Sequence, residues 1–138
     1  MLTVKSLMSR IPETIRPTDT LRDALATMNN SACRELPVLD NGRIVGIVTD
    51  RDLRLAVNSP LLAEEEAVAR ADLLSETSVA ACMTTGLITT TSETPAVEAA
   101  EMLKLNRISA MPVLHEGALV GMISTTDFVD YFIENTQI

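Results

Sequence analysis

The chain has 138 residues, a hydrophobic content of 46% and a formal net charge of −8 at pH 7. This length and apolar content are enough for one compact body with a core, and no apolar run approaches the roughly 20 residues that span a bilayer. The acidic balance and the 2% aromatic content exclude a general nucleic-acid surface, which needs basic and stacking side chains. Because the N-terminus lacks a hydrophobic signal-peptide region, we expect a cytoplasmic protein.

The first predicted elements are a short extended segment over residues 13–16, a polar turn and a helix. Apolar side chains at helical spacing indicate the helix, and Thr20 or Asp19 is its predicted N-cap. Two buried strands follow, over residues 36–39 and 44–48, and a tight hairpin joins them. A second helix is predicted to begin near Asp52. The apolar positions of the first helix are Leu21, Ala24, Leu25 and Met28.

The same pattern recurs 75 positions further along the chain without a gap. The sequence Leu-Pro-Val-Leu at residues 36–39 aligns with Met-Pro-Val-Leu at residues 111–114, and Asp52 aligns with Asp127. A tandem repeat of this kind indicates that neither half buries its apolar face alone. In the second half the first helix has Pro95 in its first turn. Its predicted apolar positions are Val97, Ala100 and Leu103.

We therefore predict a mixed α+β fold, similar to an α/β sandwich, made of two β-α-β-β-α repeats related by a pseudo-two-fold axis. Each repeat is expected to have a three-stranded sheet packed with helices. The predicted boundaries are residues 1–58 for the first repeat, 59–75 for a connector helix and 76–138 for the second repeat. The connector includes the acidic run at residues 64–66, for which a solvated face is favoured over a partner-docking helix.

Charge and cysteine placement add two expectations. Residues 1–54 have a net charge of +1 and residues 55–138 have a net charge of −9, so an anion should prefer the first repeat. Cys33 and Cys82 form no Cys-x-x-Cys pair, and each aligns with an apolar residue of the other repeat. Reduced thiols in the core are therefore favoured over a disulfide.

Two further segments carry a resemblance to a known family. Residues 46–52 (Gly-Ile-Val-Thr-Asp-Arg-Asp) and 121–127 (Gly-Met-Ile-Ser-Thr-Thr-Asp) each follow a hydrophobic-Pro-Val strand at the same distance. With those strands, they resemble a tandem pair of cystathionine β-synthase (CBS) domains, also called a Bateman module, over nearly the whole chain. The arrangement is further similar to stand-alone bacterial CBS-pair proteins of the acetoin-utilisation type. The resemblance implies an adenosine-containing ligand in the cleft between the repeats and pairing of two modules into a flat homodimer.

The chemistry of these segments can also be argued from the residues. Thr49 and Ser124 each stand at the end of a buried strand, three residues before Asp52 and Asp127, where a helix opens. The free N–H groups and the dipole of such a terminus attract phosphate, and the carboxylate can accept hydrogen bonds from ribose hydroxyls. The alternative is that these residues are helix N-caps, and both roles can coexist.

The resemblance implies further ligand positions around each Pro-Val strand. Small Ser109 and Ala110 in the second repeat leave room for an adenine, whereas bulky Arg34 and Glu35 in the first repeat weaken that site. Arginines of the first repeat could approach phosphates, or could instead be solvated or paired with nearby carboxylates. The implied ligand-binding residues are Arg16, Arg34, Glu35, Pro37, Thr49, Arg51 and Asp52, with Thr91, Ser109, Ala110, Met111, Pro112, Ser124 and Asp127.

Catalysis has little support, because the single histidine, His115, falls in a predicted turn and no nucleophile, metal-ligand or phosphate-loop motif is present. We expect a regulatory module that senses AMP, ADP, ATP, S-adenosylmethionine or NAD, with no required cofactor, no metal, no membrane and no nucleic-acid partner. One alternative is a dimerisation or docking module that binds no ligand. Another is a regulatory subunit of a metabolic enzyme or transporter.

Overall fold

The structure is a computed structural model that describes residues 1–10, 13–57 and 67–136. Two compact units are formed, one by Met1–Ile11 with Ile88–Ile138 and the other by Pro12–Leu87. We call them the 1–11/88–138 unit and the 12–87 unit. The elements in chain order are α1 (Val4–Leu7), α2 (Leu21–Ser31), β1 (Glu35–Asp40), β2 (Arg43–Thr49), α3 (Asp50–Val57), α4 (Ala67–Glu76), α5 (Val79–Cys82), β3 (Thr90–Thr91), α6 (Ala96–Asn106), β4 (Ala110–His115), β5 (Ala118–Ser124) and α7 (Thr125–Asn135).

Each compact unit combines most of one repeat with the first residues of the other repeat. The start of the first repeat, with α1, packs in the 1–11/88–138 unit, and the start of the second repeat, with α5, packs in the 12–87 unit. The boundaries predicted for the sequence repeats at residues 58 and 76 remain a prediction, and membership of the units is a separate property of the packing.

In the 12–87 unit, helix α2 begins with a capping box, which confirms Thr20 as the N-cap. The Thr20 hydroxyl accepts from the amide of Asp23 at 3.2 Å, and the Asp23 carboxylate accepts from the amide of Thr20 at 3.0 Å. These hydrogen bonds from Thr20 hold the pKa of Asp23 below its usual value. The helix then buries Leu21, Ala24 and Met28 against the core, as its apolar spacing predicts.

The hairpin of β1 and β2 forms as predicted, with Glu35 paired to Thr49 at its open end. Asn41 and Gly42 have φ angles of 52° and 81°, the left-handed values that a two-residue hairpin turn requires. The predicted extended segment before α2 is reduced to one parallel bridge, between Ile15 and Val38. The sheet of the 12–87 unit is therefore two-stranded with an added bridge.

In the 1–11/88–138 unit, β3 pairs parallel with β4, and β4 pairs antiparallel with β5. This three-stranded sheet, with helices packed on it, confirms the α+β class and the order of elements in the repeat. Met111, Val113 and Ile123 are fully buried in its core together with Val4 of α1.

The apolar face predicted for α6 is correct at Leu103 and wrong at Val97. Leu103 is buried, Ala100 is half-buried and Val97 is 70% exposed. The buried positions Ala96, Ala99 and Leu103 are those that the 75-residue shift gives from the buried Leu21, Ala24 and Met28 of α2. Because one residue turns a helix by about 100°, Val97 lies beside the buried face and not on it.

The second half of the predicted connector forms most of α4, which belongs to the 12–87 unit and contacts the start of α2. Arg22 donates to Ser75 at 3.3 Å, and the amide of Leu21 donates to the carbonyl of Thr77 at 3.0 Å. The acidic run at residues 64–66 lies outside the described residues. The choice between a solvated face and a docking helix therefore stays open.

Both cysteines are free thiols, half-buried and packed against the core of the 12–87 unit. Burial raises the pKa of Cys33 and of Cys82. A raised pKa leaves less thiolate at neutral pH, so these side chains behave as small apolar residues, in agreement with the expectation of reduced thiols.

Glycines at matching positions of β2 and β5 allow another segment to cross each hairpin closely. An added Cβ at Gly121 would lie 2.7 Å from the backbone oxygen of Ser9 and 2.9 Å from the sulfur of Met8. At Gly46 it would lie 2.6 Å from the sulfur of Met83. Real Cβ atoms do not approach that closely, so a Cβ at Gly121 must displace backbone and a Cβ at Gly46 must at least displace the flexible side chain of Met83.

Thr90 offers a simple test of the core packing. Its side chain is 4% exposed, and its hydroxyl has no hydrogen-bond partner among the described residues. The corresponding residue of the first repeat is Ile15, which belongs to a core. We expect Thr90→Val, which removes the buried hydroxyl at nearly constant shape, to raise the free energy of unfolding by about 1 kcal/mol.

Urea denaturation measures this effect, and Thr91→Val is the matched control. The hydroxyl of Thr91 is exposed and lies 2.7 Å from that of Thr94, so its replacement should bring no gain. A loss of stability in Thr90→Val would show that the hydroxyl is satisfied.

Candidate functional site

The end of the hairpin where β4 starts and β5 stops collects several candidate residues of the second repeat. Ala110 pairs with Ser124 in the strand register, and the amide of Thr125 donates to the carbonyl of Ser109 at 2.9 Å. The segment expected beside the base is thereby tied to the first turn of α7. Ser109 is exposed and Ala110 is half-buried, and both side chains are small.

Helix α7 begins with a capping box built from Ser124 and Asp127. The Oδ2 atom of Asp127 accepts from the Ser124 amide at 2.8 Å and from the Ser124 hydroxyl at 3.2 Å. The amide of Asp127 donates to the Ser124 hydroxyl at 3.3 Å. The capping role is therefore confirmed, and it uses one of the two carboxylate oxygens. The amides of Ser124, Thr125 and Asp127 have partners, so the amide of the exposed Thr126 is the donor that this turn leaves for a ligand among the described residues.

The first repeat repeats this geometry at the start of α3. The Oδ2 atom of Asp52 accepts from the Thr49 amide at 2.8 Å and from the Thr49 hydroxyl at 3.0 Å. The amide of Asp50 donates to the carbonyl of Arg34 at 2.9 Å. Two helix starts of the same construction therefore follow the two hairpins.

The side chains around the two helix starts differ in size and charge. In the first repeat, Glu35 replaces Ala110 and is more than half buried, and this burial raises the pKa of its carboxyl. Arg34 and Arg51 are exposed, and no carboxylate of the described residues lies within ion-pair distance of either one. The first repeat thus brings cationic side chains to its helix start, but a partly desolvated carboxyl where the base is expected.

Two ion pairs occupy charged groups near the first-repeat candidates, one of them predicted and one not. Arg16 forms an ion pair with Asp19 at 3.2 Å, the pairing that the alternative interpretation expected. Asp50 is paired with Arg54, whose hydrogen bond holds the pKa of Asp50 below its usual value. The nearby charge of Arg34 also lowers the pKa of Asp50, although the two side chains form no ion pair.

Arg16 and Thr91 lie away from the helix starts. Thr91 pairs with Leu114, four residues along β4 from Ala110, which is a distance of about 13 Å in a strand. Its hydroxyl bonds with that of Thr94. Arg16 follows Ile15, whose bridge to Val38 places it at the matching end of the other hairpin. Neither residue is brought to the cluster that contains Asp127 or Asp52.

Three further candidates, Pro37, Met111 and Pro112, are buried strand residues. Their side chains pack in the cores, so they shape each site through the backbone of the strand. They position the preceding residues, Glu35 in one repeat and Ala110 in the other.

Each compact unit has a cleft beside the helix that follows its hairpin, which is α3 in the 12–87 unit and α7 in the 1–11/88–138 unit. The cleft in the 1–11/88–138 unit has a volume of about 350 Å³, and that in the 12–87 unit about 420 Å³. Such volumes are within the range of small-molecule sites. The lining positions correspond between the repeats, with Leu103, Ile108 and Thr125 in one unit and Met28, Cys33 and Asp50 in the other.

One contact at the candidate site was missed by the sequence analysis. The hydroxyl of Ser9 donates to Oδ1 of Asp127 at 3.1 Å, across 118 positions of sequence. The available signal was the repeat itself, because Met8-Ser9 aligns with Met83-Thr84 at the same 75-residue shift. The alignment shows that these first residues of each repeat belong to the repeated pattern.

The comparison with known families is decided by a family model. The model of the CBS domain matches residues 4–59 and 79–134. The chain belongs to the CBS domain family. Its two matched segments are the two repeats that the 75-residue shift relates.

Individual relatives agree with a CBS pair. A CBS domain-containing protein of Dictyostelium discoideum is 39% identical over 133 residues, which cover 95% of this chain and 91% of that protein. The crystal structure of an acetoin utilization protein, AcuB, from Vibrio cholerae is similar with a TM-score of 0.79 and 31% identity, covering 97% of this chain and 92% of that one. The crystal structure of CBSX2 in complex with AMP has a TM-score of 0.82 at 21% identity and covers 99% and 100% of the two chains. In the described part of this CBS pair, no helix combines the length and apolar character needed to cross a membrane.

Proposed function

We propose that this protein is a regulatory module that binds an adenosine-containing nucleotide at the start of α7 in the second repeat. The observation that carries the proposal is the arrangement of Asp127. Its Oδ2 atom is fixed in the capping box, while Oδ1 accepts from the Ser9 hydroxyl, and the amide of Thr125 in the same helix turn donates to the carbonyl of the small residue Ser109. Ribose hydroxyls can donate to this carboxylate, and phosphate can accept from the amide of Thr126 at the positive end of the helix dipole.

The second repeat is proposed as the stronger site for the base. Ala110 offers space, whereas Glu35 in the first repeat fills that position with a partly buried carboxyl. A carboxylate next to the ring nitrogens and phosphates of a nucleotide repels them, and its desolvation costs free energy. The exposed Arg34 and Arg51 make the first repeat better suited to a phosphate group alone.

The ligand class follows from the chemistry of these groups. A base edge, a ribose diol and a phosphate together match an adenine nucleotide, and CBSX2, which shares this fold, was crystallised with AMP. AMP, ADP, ATP, S-adenosylmethionine and NAD all carry the adenosine part. We propose AMP as the first compound to test.

The proposed mechanism is a shift of population and not a reaction. A ligand that prefers one arrangement of the protein shifts the equilibrium by its differential affinity for that arrangement. The candidate groups are a carboxylate held in a helix cap, backbone amides and small side chains, which bind but do not transfer protons or groups. We therefore propose a regulatory role toward another protein.

The experiment is thermal unfolding of the wild-type protein with each of the five compounds. A ligand present at 100 times its dissociation constant should add about 2.7 kcal/mol to the free energy of unfolding. We expect this stabilisation for at least one compound. A folded protein that is not stabilised by any of them at millimolar concentration would overturn the proposed function.

We also propose that the protein is a homodimer. Helix α7 has no buried residue, and on one face it exposes Val129, Phe132 and Ile133 by 55%, 65% and 51%. An apolar helix face of this kind is usually covered by a partner, and a second copy of the chain closes the contact by two-fold symmetry.

Phe132→Asp tests the dimer, because it places a charge in the centre of the proposed contact. We expect the dimer dissociation constant to rise by about 30-fold or more, measured by light scattering after gel filtration over a range of concentrations. Val68→Asp is the control, since Val68 is 75% exposed on α4, far along the chain from this face. A monomeric wild-type protein at 100 µM, taken as roughly the upper end of the range for specific dimers, would contradict the proposal.

A further inference from the structure

The N-terminal segment packs into the 1–11/88–138 unit, which contains most of the second repeat. Val4 is fully buried, and its amide donates to the carbonyl of Thr94 at 2.9 Å. The amide of Lys5 donates to the carbonyl of Ser92 at 2.9 Å. The segment is therefore fixed by the core and by backbone hydrogen bonds before it reaches the candidate site.

Ser9 is held on β5 by its backbone. Its amide donates to the carbonyl of Met122 at 2.9 Å, and the amide of Met122 donates to the carbonyl of Ser9 at 3.0 Å. The absence of a side chain at Gly121 allows this close pairing. Because the backbone of Ser9 is fixed, its hydroxyl is held 3.1 Å from Oδ1 of Asp127.

The two oxygens of Asp127 are therefore held by different segments. Oδ2 accepts two hydrogen bonds from Ser124, which occupy both of its lone pairs. Oδ1 accepts one from Ser9, and its second lone pair remains for a ligand hydroxyl. A carboxylate fixed at both oxygens loses little freedom when a ligand binds.

The first repeat has the same backbone pairing without the side-chain contact. The amide of Thr84 donates to the carbonyl of Ile47 at 2.8 Å, and the amide of Ile47 donates back at 3.0 Å. Among the hydrogen bonds of the described residues, Asp52 receives its side-chain contacts from Thr49, and Thr84 makes none with it. The contact thus distinguishes the second repeat from the first.

We infer that Ser9 is a positioning residue for Asp127, which makes the second repeat the tighter ribose-binding position. The inference rests on the proposed function and extends it, because it assigns part of the second-repeat site to the first residues of the first repeat. A ligand that binds Asp127 at the start of α7 is then coupled to the N-terminal segment through the hydrogen bond between Ser9 and Asp127.

The test compares AMP binding by isothermal titration calorimetry in the wild type, Ser9→Ala, Ser9→Thr and Ser6→Ala. We expect Ser9→Ala to weaken AMP binding by about fivefold, the usual worth of one hydrogen bond, while Ser9→Thr keeps the hydroxyl and most of the affinity. Ser6→Ala is the matched control, because Ser6 is an exposed serine of α1 without a side-chain hydrogen bond among the described residues.

A double-mutant cycle shows whether Ser9 acts through Asp127. In an Asp127→Asn background, Ser9→Ala should cause no further loss, and the loss in the wild-type background should be smaller for 2′-deoxy-AMP than for AMP. An effect of Ser9→Ala below twofold, or an equal effect in both backgrounds, would overturn the inference while AMP binding itself stands. No AMP binding by the folded wild type would overturn the proposed function, and the inference with it.

Discussion

Gly121→Ala is expected to lower the free energy of unfolding by about 2–3 kcal/mol. The new Cβ would lie 2.7 Å from the backbone oxygen of Ser9, and this oxygen is fixed by its hydrogen bond to the amide of Met122. Relief requires the N-terminal segment to move away from β5, which breaks that pairing. In a chain of this size the midpoint of thermal unfolding should decrease by about 5–10 °C. Urea denaturation should give the same loss of unfolding free energy.

Gly46→Ala provides the matched control within the other repeat. There the nearest atoms belong to the flexible side chain of Met83, at 2.6 and 2.9 Å, with the backbone oxygen of Thr84 at 2.9 Å. Because a methionine side chain can rotate away, we expect a smaller loss than at Gly121. A Gly121→Ala protein within about 0.5 kcal/mol of the wild type, a normal range for a surface substitution, would show that the segment does not pack against β5.

Asp127→Asn is expected to weaken AMP binding by about 10-fold or more. The substitution removes the negative charge that accepts the ribose hydroxyls, and hydrogen bonds to charged groups contribute about 1.5–3 kcal/mol. Asparagine is close in shape to aspartate, so the protein should remain folded with some loss of the cap at Ser124. Calorimetric titration measures the affinity, and denaturation measures the loss of stability.

Asp52→Asn is the matched control for this prediction. Asp52 has the same capping contacts to Thr49, so both variants should lose similar stability. Only Asp127→Asn should lose AMP affinity strongly, whereas Asp52→Asn should change it by less than about threefold, since Glu35 makes the first repeat the poorer base site. Equal losses of affinity would contradict the preference for the second repeat.

Local features of the fold were predictable because they depend on neighbouring residues. The Asn41-Gly42 turn follows from the positive φ angles of a tight hairpin, and the caps at Thr20 and Ser124 follow from residue type and spacing. The buried face of α6 was also predictable, because the 75-residue shift carries Leu21, Ala24 and Met28 of α2 onto Ala96, Ala99 and Leu103. Apolar spacing within α6 alone does not separate Val97 from Ala96, since both are apolar.

The candidate site also has some contacts that the local sequence predicts and one that it does not. The pairing of Thr49 with Asp52 and of Ser124 with Asp127 follows from a spacing of three residues, which is the spacing of a capping box. The contact of Ser9 with Asp127 joins residues 118 positions apart, and no local pattern predicts it. It depends on the exchange of the N-terminal segment into the unit of the second repeat, which is a property of the whole chain.

The most direct test of the central claim is a titration of ¹⁵N-labelled protein with AMP, followed by amide chemical shifts. Saturable shifts are expected, and they should be largest at Ser109, Ala110 and residues 125–127, where the strand end meets the start of α7. The Asp127→Asn variant should show these shifts only at higher AMP concentration. Saturable shifts centred elsewhere in the molecule, or none at millimolar AMP, would contradict the account.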